Sequence, residues 1–268
     1  MLGGLGAGRL FPHLFAAHNE RMRSTPSLPP PNTFATAPTP LRILIAGAGF
    51  ELALGLLAWS VGFIVGMDPF SRWHWTWQGL AWGGAAVVPM LAMAGMAMQA
   101  RGKPWQELRD FLDHVIAPLF LRCRAWHLLA LSVAAGWGEE LLFRGLLQQG
   151  LTHVLSAWGL PSTAASAAAL LVAALLFGLA HPLTRLYVVG ATVLGAYLGL
   201  CFKLSGNLLV PAVAHAGYDF LVLAFLVRRA RVRETLRQAA GFRPNGTSSH
   251  PIGGQDSAAT VSTSGDST

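Results

Sequence analysis

Apolar residues in this chain come in blocks of membrane-crossing length, separated by short stretches that hold most of the charge. The blocks fall near 43 to 66, 76 to 99, 126 to 150, 163 to 181, 186 to 202 and 207 to 227. Each is close to the ~20 residues that an α-helix, rising about 1.5 Å per residue, needs to cross the hydrocarbon core of a bilayer. Six transmembrane helices are predicted. Residues 104 to 121, PWQELRDFLDHVIAPLFL, read differently. There Glu107, Arg109, Asp110 and Asp113 alternate with apolar residues at helical spacing, the pattern of an amphipathic helix lying along the membrane surface. The expected fold class is therefore all-α, a polytopic helix bundle. Two spans occupy residues 42–100, a basic amphipathic segment 101–125, and a second helix bundle 126–227.

The ends are of another kind. Residues 1–41 include TPSLPPPNTFATAPTP, and 243–268 is rich in Gly, Ser and Thr, so both are expected to be disordered tails, the second preceded by a basic stretch from 228. The first residues lack the apolar run and cleavage site of a removable signal peptide, which leaves the first span to serve as the signal. Cys123 and Cys201 have no paired-ligand spacing, and neither a disulfide framework nor a thiolate metal site is expected from them.

Composition agrees with the membrane reading: 53% of the 268 residues are hydrophobic and 12% charged, against about 25% charged in soluble domains. The net charge of +7 would point to nucleic acid in a soluble protein. Here the basic residues follow the connections instead. Arg42, then Arg101, Lys103, Arg109, Arg122 and Arg124, then Arg185, then Arg228, Arg229, Arg231, Arg233 and Arg237 occupy alternate connections, while the others hold Arg72 and Lys203. By the positive-inside rule both termini are cytoplasmic, and the arginine cluster after the last span meets anionic lipid rather than nucleic acid. The Ala-, Gly- and Arg-rich composition reads as bacterial, giving an integral protein of the cytoplasmic membrane.

Inside the apolar blocks the ionisable residues form a short list: Glu51, Glu139, Glu140, Arg144, His181, His215 and Asp219. Each charged side chain near the bilayer centre costs about 2.5 to 3.5 kcal/mol even on mild insertion scales, so such residues mark sites. Residues four apart share a helix face, whereas neighbours diverge by about 100°. Glu140 is thus placed to pair with Arg144, in the favourable order and with a planar guanidinium suited to a dry carboxylate. Glu139 is left free for chemistry. Phe177 and His181 repeat the spacing of four, with Pro182 ending the helix just after the histidine. His215 and Asp219 repeat it again. Glu51, alone in the first span, reads as a structural partner for a neighbouring helix.

Peptide hydrolysis by water needs a base, an acid for the leaving amine and donors for the oxyanion. Glu139 and His181 supply base and acid, and His215, with Asp219 orienting it or donating directly if protonated, the oxyanion contacts, while Arg144 holds Glu140 in place. This scheme requires no cofactor. Glu139, His181 and His215 are also a set that would bind a divalent ion such as zinc, assembled from three helices because no HExxH is present. There is no GxSxG for a serine nucleophile and no GxGD to make an aspartyl dyad with Asp219. A non-catalytic polytopic binding or immunity protein, and a proton-coupled transporter using Glu139, are the alternatives.

Glu139-Glu140-x-x-x-Arg144, Phe177-x-x-x-His181 and His215-x-x-x-Asp219, in this order on successive helices, resemble the three motifs of the CAAX protease and bacteriocin-processing (CPBP, or Abi) membrane proteases. The resemblance covers about residues 43 to 227. It implies an all-helical membrane fold related to the type II CAAX prenyl endopeptidases, acting on a membrane protein or peptide, and members are often labelled metalloproteases. Carried over, the first glutamate and the histidine of the second motif, Glu139 and His181, activate water, and His215 and Asp219 stabilise the oxyanion. Where the eukaryotic prenyl enzymes carry asparagine, this chain has Asp219. Asparagine always donates, whereas aspartate does so only when protonated. The sequence also places His181 at the cytoplasmic end of the fourth span, with Glu139 and His215 at mid-membrane, so the three meet only if that helix is tilted or re-entrant.

Overall fold

The computed structural model describes residues 38–239; the expectations for the remainder of the two tails fall outside them. Every element among the described residues is helical. The chain runs through α1 (Pro40–Ile64), α2 (Trp77–Gln99), α3 (Lys103–Phe111), a π-helical stretch Leu112–Ile116, α4 (Ala117–Leu119), α5 (Ala125–Glu140), a second π-helical stretch Leu141–Gln148, α6 (Gln149–Ala157), α7 (Ser162–Leu179), α8 (Arg185–Ser205) and α9 (Leu209–Ala239).

Five of these helices, α1, α2, α7, α8 and α9, are long and apolar enough to cross a membrane. The sequence predicts six. The third expected span is present as a composite instead: α5, the second π stretch and α6 follow one another without a break from Ala125 to Ala157. Arg144 stands inside the π stretch, where the wider turn re-aims side chains, and such insertions recur at functional sites. The segment expected along the surface is helical over most of its length, with Leu108 and Ala117 buried. Its Asp113 faces the far end of α9, 2.7 Å from Arg233 Nη1 and 3.2 Å from Arg229 Nη2.

Local sequence signals set the helix ends. Thr39, Thr76 and Thr184 cap α1, α2 and α8, their hydroxyls accepting from backbone N–H groups of Arg42, Gly79 and Tyr187. Asn207 secures the connection before α2. Its side-chain amide donates to His74 O at 2.8 Å and its Oδ1 accepts from His74 N at 3.1 Å, so the Trp-rich stretch is tied to the start of α9.

α5 is the central element. α1 packs on one side of it and α9 on another, α2 lies outside α9, and α7 and α8 pack together against the second π stretch. Two glycines permit the closeness, as small residues do between membrane helices. A Cβ at Gly136 would lie 2.6 Å from Ala212 O on α9, and one at Gly138 would collide with the Glu51 carbonyl on α1. Glu139 and Glu140 follow directly on this double crossing. They are buried because two backbones close over the residues just before them.

Candidate active site

Glu139, Glu140, Arg144 and His215 are all buried, with Glu140 and Arg144 at 0% and 1% exposure. Burial at that level makes an unpaired charge untenable, and partners are accordingly present. Arg144 Nη1 donates to Glu140 Oε1 at 2.8 Å, and Nη2 donates to Gly195 O at 2.8 Å on α8. The guanidinium also lies over the Phe177 ring, 4.8 Å from its centroid, a cation–π contact on α7. One arginine therefore ties the composite helix to both α7 and α8.

The same Glu140 oxygen is shared. His215 Nδ1 stands 2.9 Å from Glu140 Oε1. A carboxylate only accepts, so Nδ1 carries the hydrogen and Nε2 is turned the other way. Nε2 lies 3.5 Å from Asp219 Oδ2. Sequence spacing gives Asp219 the task of orienting His215 and leaves Glu140 to Arg144 alone. The geometry adds Glu140 to that task, at the shorter of the two distances, because α9 crosses α5 where Gly136 has no side chain to hold it off.

His181 follows the same logic. It lies in the turn after α7, between the spans, and its Nδ1 is 2.7 Å from Phe177 O. The carbonyl accepts, which fixes the hydrogen on Nδ1 and presents Nε2 to Glu139, 3.6 Å from Oε1. That separation exceeds a direct hydrogen bond while remaining within ion-pair range. Burial lowers the proton affinity of His181 and the Glu139 carboxylate raises it; the carboxylate prevails, and the imidazole titrates above the ordinary histidine value. The mismatch in depth read from the sequence is thus resolved: the turn that ends α7 at Leu179 stands level with Glu139.

Phe177 is the hub of the cluster. Its ring centroid is 4.8 Å from that of His181, 5.7 Å from that of His215 and 5.1 Å from that of Phe143. The sequence marks Phe177 by its spacing from His181 but gives no sign that it touches both imidazoles. Glu51 is a second residue whose nearness to the site the sequence does not show. Its backbone lies against Gly138 of the neighbouring helix α5, and its carboxyl is near enough to act electrostatically on Glu139, His215, Asp219 and His181, so the neighbouring-helix contact places it beside the site. The signal was present, since a lone carboxyl in an apolar span is costly.

The six ionisable motif residues therefore lie in two groups, Glu139 with His181 and Glu140 with Arg144, His215 and Asp219, linked through the Phe177 ring. Glu139, His181 and His215 do not close as a metal site: among the described residues no three His, Cys, Asp or Glu side chains are arranged to hold an ion.

Comparison with known proteins places these residues in context. Residues 122–221 match the family model described as type II CAAX prenyl endopeptidase Rce1-like. All seven motif residues fall inside the matched stretch, and Glu51 falls outside it. The chain is also similar to the YpbD protein of Bacillus subtilis (strain 168), 29% identical over 168 residues, which is 62% of this chain and 78% of that one. No solved structure matches.

Proposed function

We propose, taking the Rce1-like domain over residues 122–221 as the premise, that this multi-pass membrane protein is an endopeptidase whose attacking water is activated by Glu139 and His181. The observation that carries the reading is the placement of His181. Its Nδ1 is engaged by Phe177 O and its Nε2 faces the Glu139 carboxylate.

The Glu139 carboxylate takes a proton from water as the water oxygen bonds to the scissile carbonyl carbon. The carbonyl oxygen becomes an oxyanion facing His215, which donates through Nε2 as the imidazolium while its Nδ1–H is held by Glu140, with Asp219 beside it as an orienting acceptor or, when protonated, a second donor. Collapse of the tetrahedral intermediate breaks the C–N bond, and the amine leaves with a proton delivered through His181. Glu140 and Arg144 act one step back, fixing His215 by its Nδ1. No divalent ion is called on, so cleavage persists after chelation with EDTA or phenanthroline.

The substrate is a membrane protein or peptide, with a prenylated CAAX peptide as one member of the class to be tried. The basic connections face the cytoplasm, and the protein is placed in a bacterial cytoplasmic membrane with both termini inside. That topology is supported by Arg231, whose guanidinium donates to Leu121 O and Cys123 O and so gathers two basic segments at one end of the bundle. The test compares bacterial membrane vesicles holding the full chain with vesicles holding Glu139→Gln. New peptide N-termini are mapped by amine labelling and mass spectrometry, and a farnesylated CAAX peptide is assayed in parallel. Products that depend on Glu139 are expected. Identical termini in both vesicles with no peptide cleavage reject the reading, and substrate flux that collapses with the proton gradient favours a transporter.

A further inference from the structure

Glu51 has no assigned task, and the Rce1-like match does not reach it. On α1, residues Gly47, Glu51, Gly55 and Ala58 recur at spacings of four, four and three, which places them on one face. That face meets α5. A Cβ at Gly47 would lie 2.6 Å from Leu131 Cδ2, and one at Gly55 would run into the Trp137 ring. Between them the Glu51 backbone abuts Gly138, the residue before Glu139. The single carboxyl of α1 thus sits in its helix-packing seam, beside the carboxylate that accepts the water proton.

Partner accounting then separates the carboxyls. Glu139 has His181, Glu140 has Arg144 and His215, and Asp219 has His215. Glu51 forms no salt bridge among the described residues, and its Oε2 is buried with no hydrogen-bond partner; Glu139 Oε2 is buried and unpartnered as well. The titratable groups near enough to act on Glu51 electrostatically are Glu139 from α5, His181 from the turn after α7, and His215 and Asp219 from α9. A buried carboxylate without a cation is costly, whereas the neutral acid is tolerated and gains a donor. Where two neighbouring carboxyls have unequal partners, one keeps the proton and the other works ionised.

We propose that Glu51 is the proton-bearing carboxyl of this centre, a neutral acid on α1 that positions the ionised Glu139 on α5. Its function rests on the hydrolytic reading above; its protonation is tested separately from that reading. Glu51 is a positioning residue, acting on the substrate through Glu139.

The first measurement uses the full chain in detergent micelles at neutral pH with dicyclohexylcarbodiimide. The acid proton passes to a carbodiimide nitrogen as the carboxyl oxygen bonds to the central carbon, and the adduct rearranges to a stable N-acylurea. Peptide mapping by mass spectrometry is expected to find the adduct on Glu51, in excess of Glu139. Glu51 unmodified, or Glu139 modified to an equal or greater extent, overturns the proposal. The second follows Glu139-dependent cleavage in Glu51→Gln, a neutral donor of the same shape, and in Glu51→Leu. Glu51→Gln is expected to keep its turnover within about threefold, and Glu51→Leu to lose about tenfold or more at little change in KM, since leucine leaves the ionised Glu139 beside an apolar side chain with no polar neighbour on α1. Equal losses in both variants, or a loss in neither, overturn it. If Glu51→Leu does not fold, the labelling and Glu51→Gln decide. Should Glu139→Gln cleave like the unaltered protein, the hydrolytic reading falls while the labelling result still stands or fails alone.

Discussion

His215 Nδ1 and Glu140 Oε1 lie 2.9 Å apart across the α5–α9 crossing, on the same oxygen that receives Arg144 at 2.8 Å. Glu140 is therefore both the counterion of a fully buried arginine and the orienting acceptor of a histidine. These tasks separate by mutation. Removing one partner of a buried ion pair costs about 3 to 5 kcal/mol, while replacing both by apolar residues of similar size is often neutral or better. Glu140→Leu and Arg144→Met are each expected to lower accumulation and melting temperature in detergent. The double variant is expected to recover much of that stability without recovering cleavage, since His215 still lacks its acceptor. A double variant that regains both stability and activity contradicts the orienting role.

Asp219 gives a narrower test. It is 32% exposed on its side chain and stands 3.5 Å from His215 Nε2, looser than the Glu140 contact. If its part is donation toward the oxyanion, Asp219→Asn supplies a permanent donor at the same place, whereas Asp219→Ala supplies none. We expect Asp219→Asn to hold cleavage within about tenfold of the unaltered protein and Asp219→Ala to lose about 100-fold or more, the scale of losing an oxyanion donor. Equal activities in the two variants, measured on the same Glu139-dependent product, speak against donation by this residue.

How much of this was legible in the chain follows from which distances are local. The Glu140–Arg144 pair, the His181–Phe177 spacing and the break at Pro182 are separations along one backbone, and helical periodicity fixes them before any packing is known. The second role of Glu140 depends on how close α9 approaches α5, which is set by the bare face of Gly136 and not by any feature of Glu140. Glu51 was visible as an expensive residue but not as a neighbour of Glu139, since its place depends on Gly138 bringing α1 against α5. The composite make-up of the third span was not legible for a related reason. A π stretch changes helix geometry without a marked composition, so Leu141–Gln148 reads as ordinary apolar helix although it divides the third span into three pieces.

The pH dependence of stability isolates His181. Its folded-state proton affinity lies above the ordinary histidine value, with the Glu139 contact outweighing burial. A proton held more tightly in the folded than in the unfolded state stabilises the fold fully below the unfolded value, near pH 6.5, and that contribution is lost as pH rises through the folded value. The melting-temperature difference between the unaltered protein and His181→Asn is therefore expected to be largest at mildly acidic pH and to shrink as pH climbs above about 6.5. A difference that grows with pH in detergent melting curves carries the opposite sign and places the shift elsewhere.

Gly138 carries the last prediction, because it couples the seam of α1 to the catalytic end of α5. A methyl group there would meet the Glu51 carbonyl, a backbone atom that cannot rotate away as a side chain does. Gly136, two residues earlier, blocks escape toward α9, since a shift of α5 in that direction presses it on Ala212 O. Helix propensity alone favours alanine over glycine by about 1 kcal/mol. A gain in melting temperature is thus the outcome if α1 and α5 are free to separate. The packing predicts the reverse: Gly138→Ala forces α1 outward, lowers the melting temperature by overpacking worth about 1 to 3 kcal/mol, and reduces cleavage because Glu51 and Glu139 move apart together with their helices. An α1–α5 disulfide scan, measuring cross-linking efficiency between cysteines at positions 47 and 131 with and without the substitution, reads the separation directly. Unchanged cross-linking together with a raised melting temperature shows that the crossing is looser than the Gly138 contact requires.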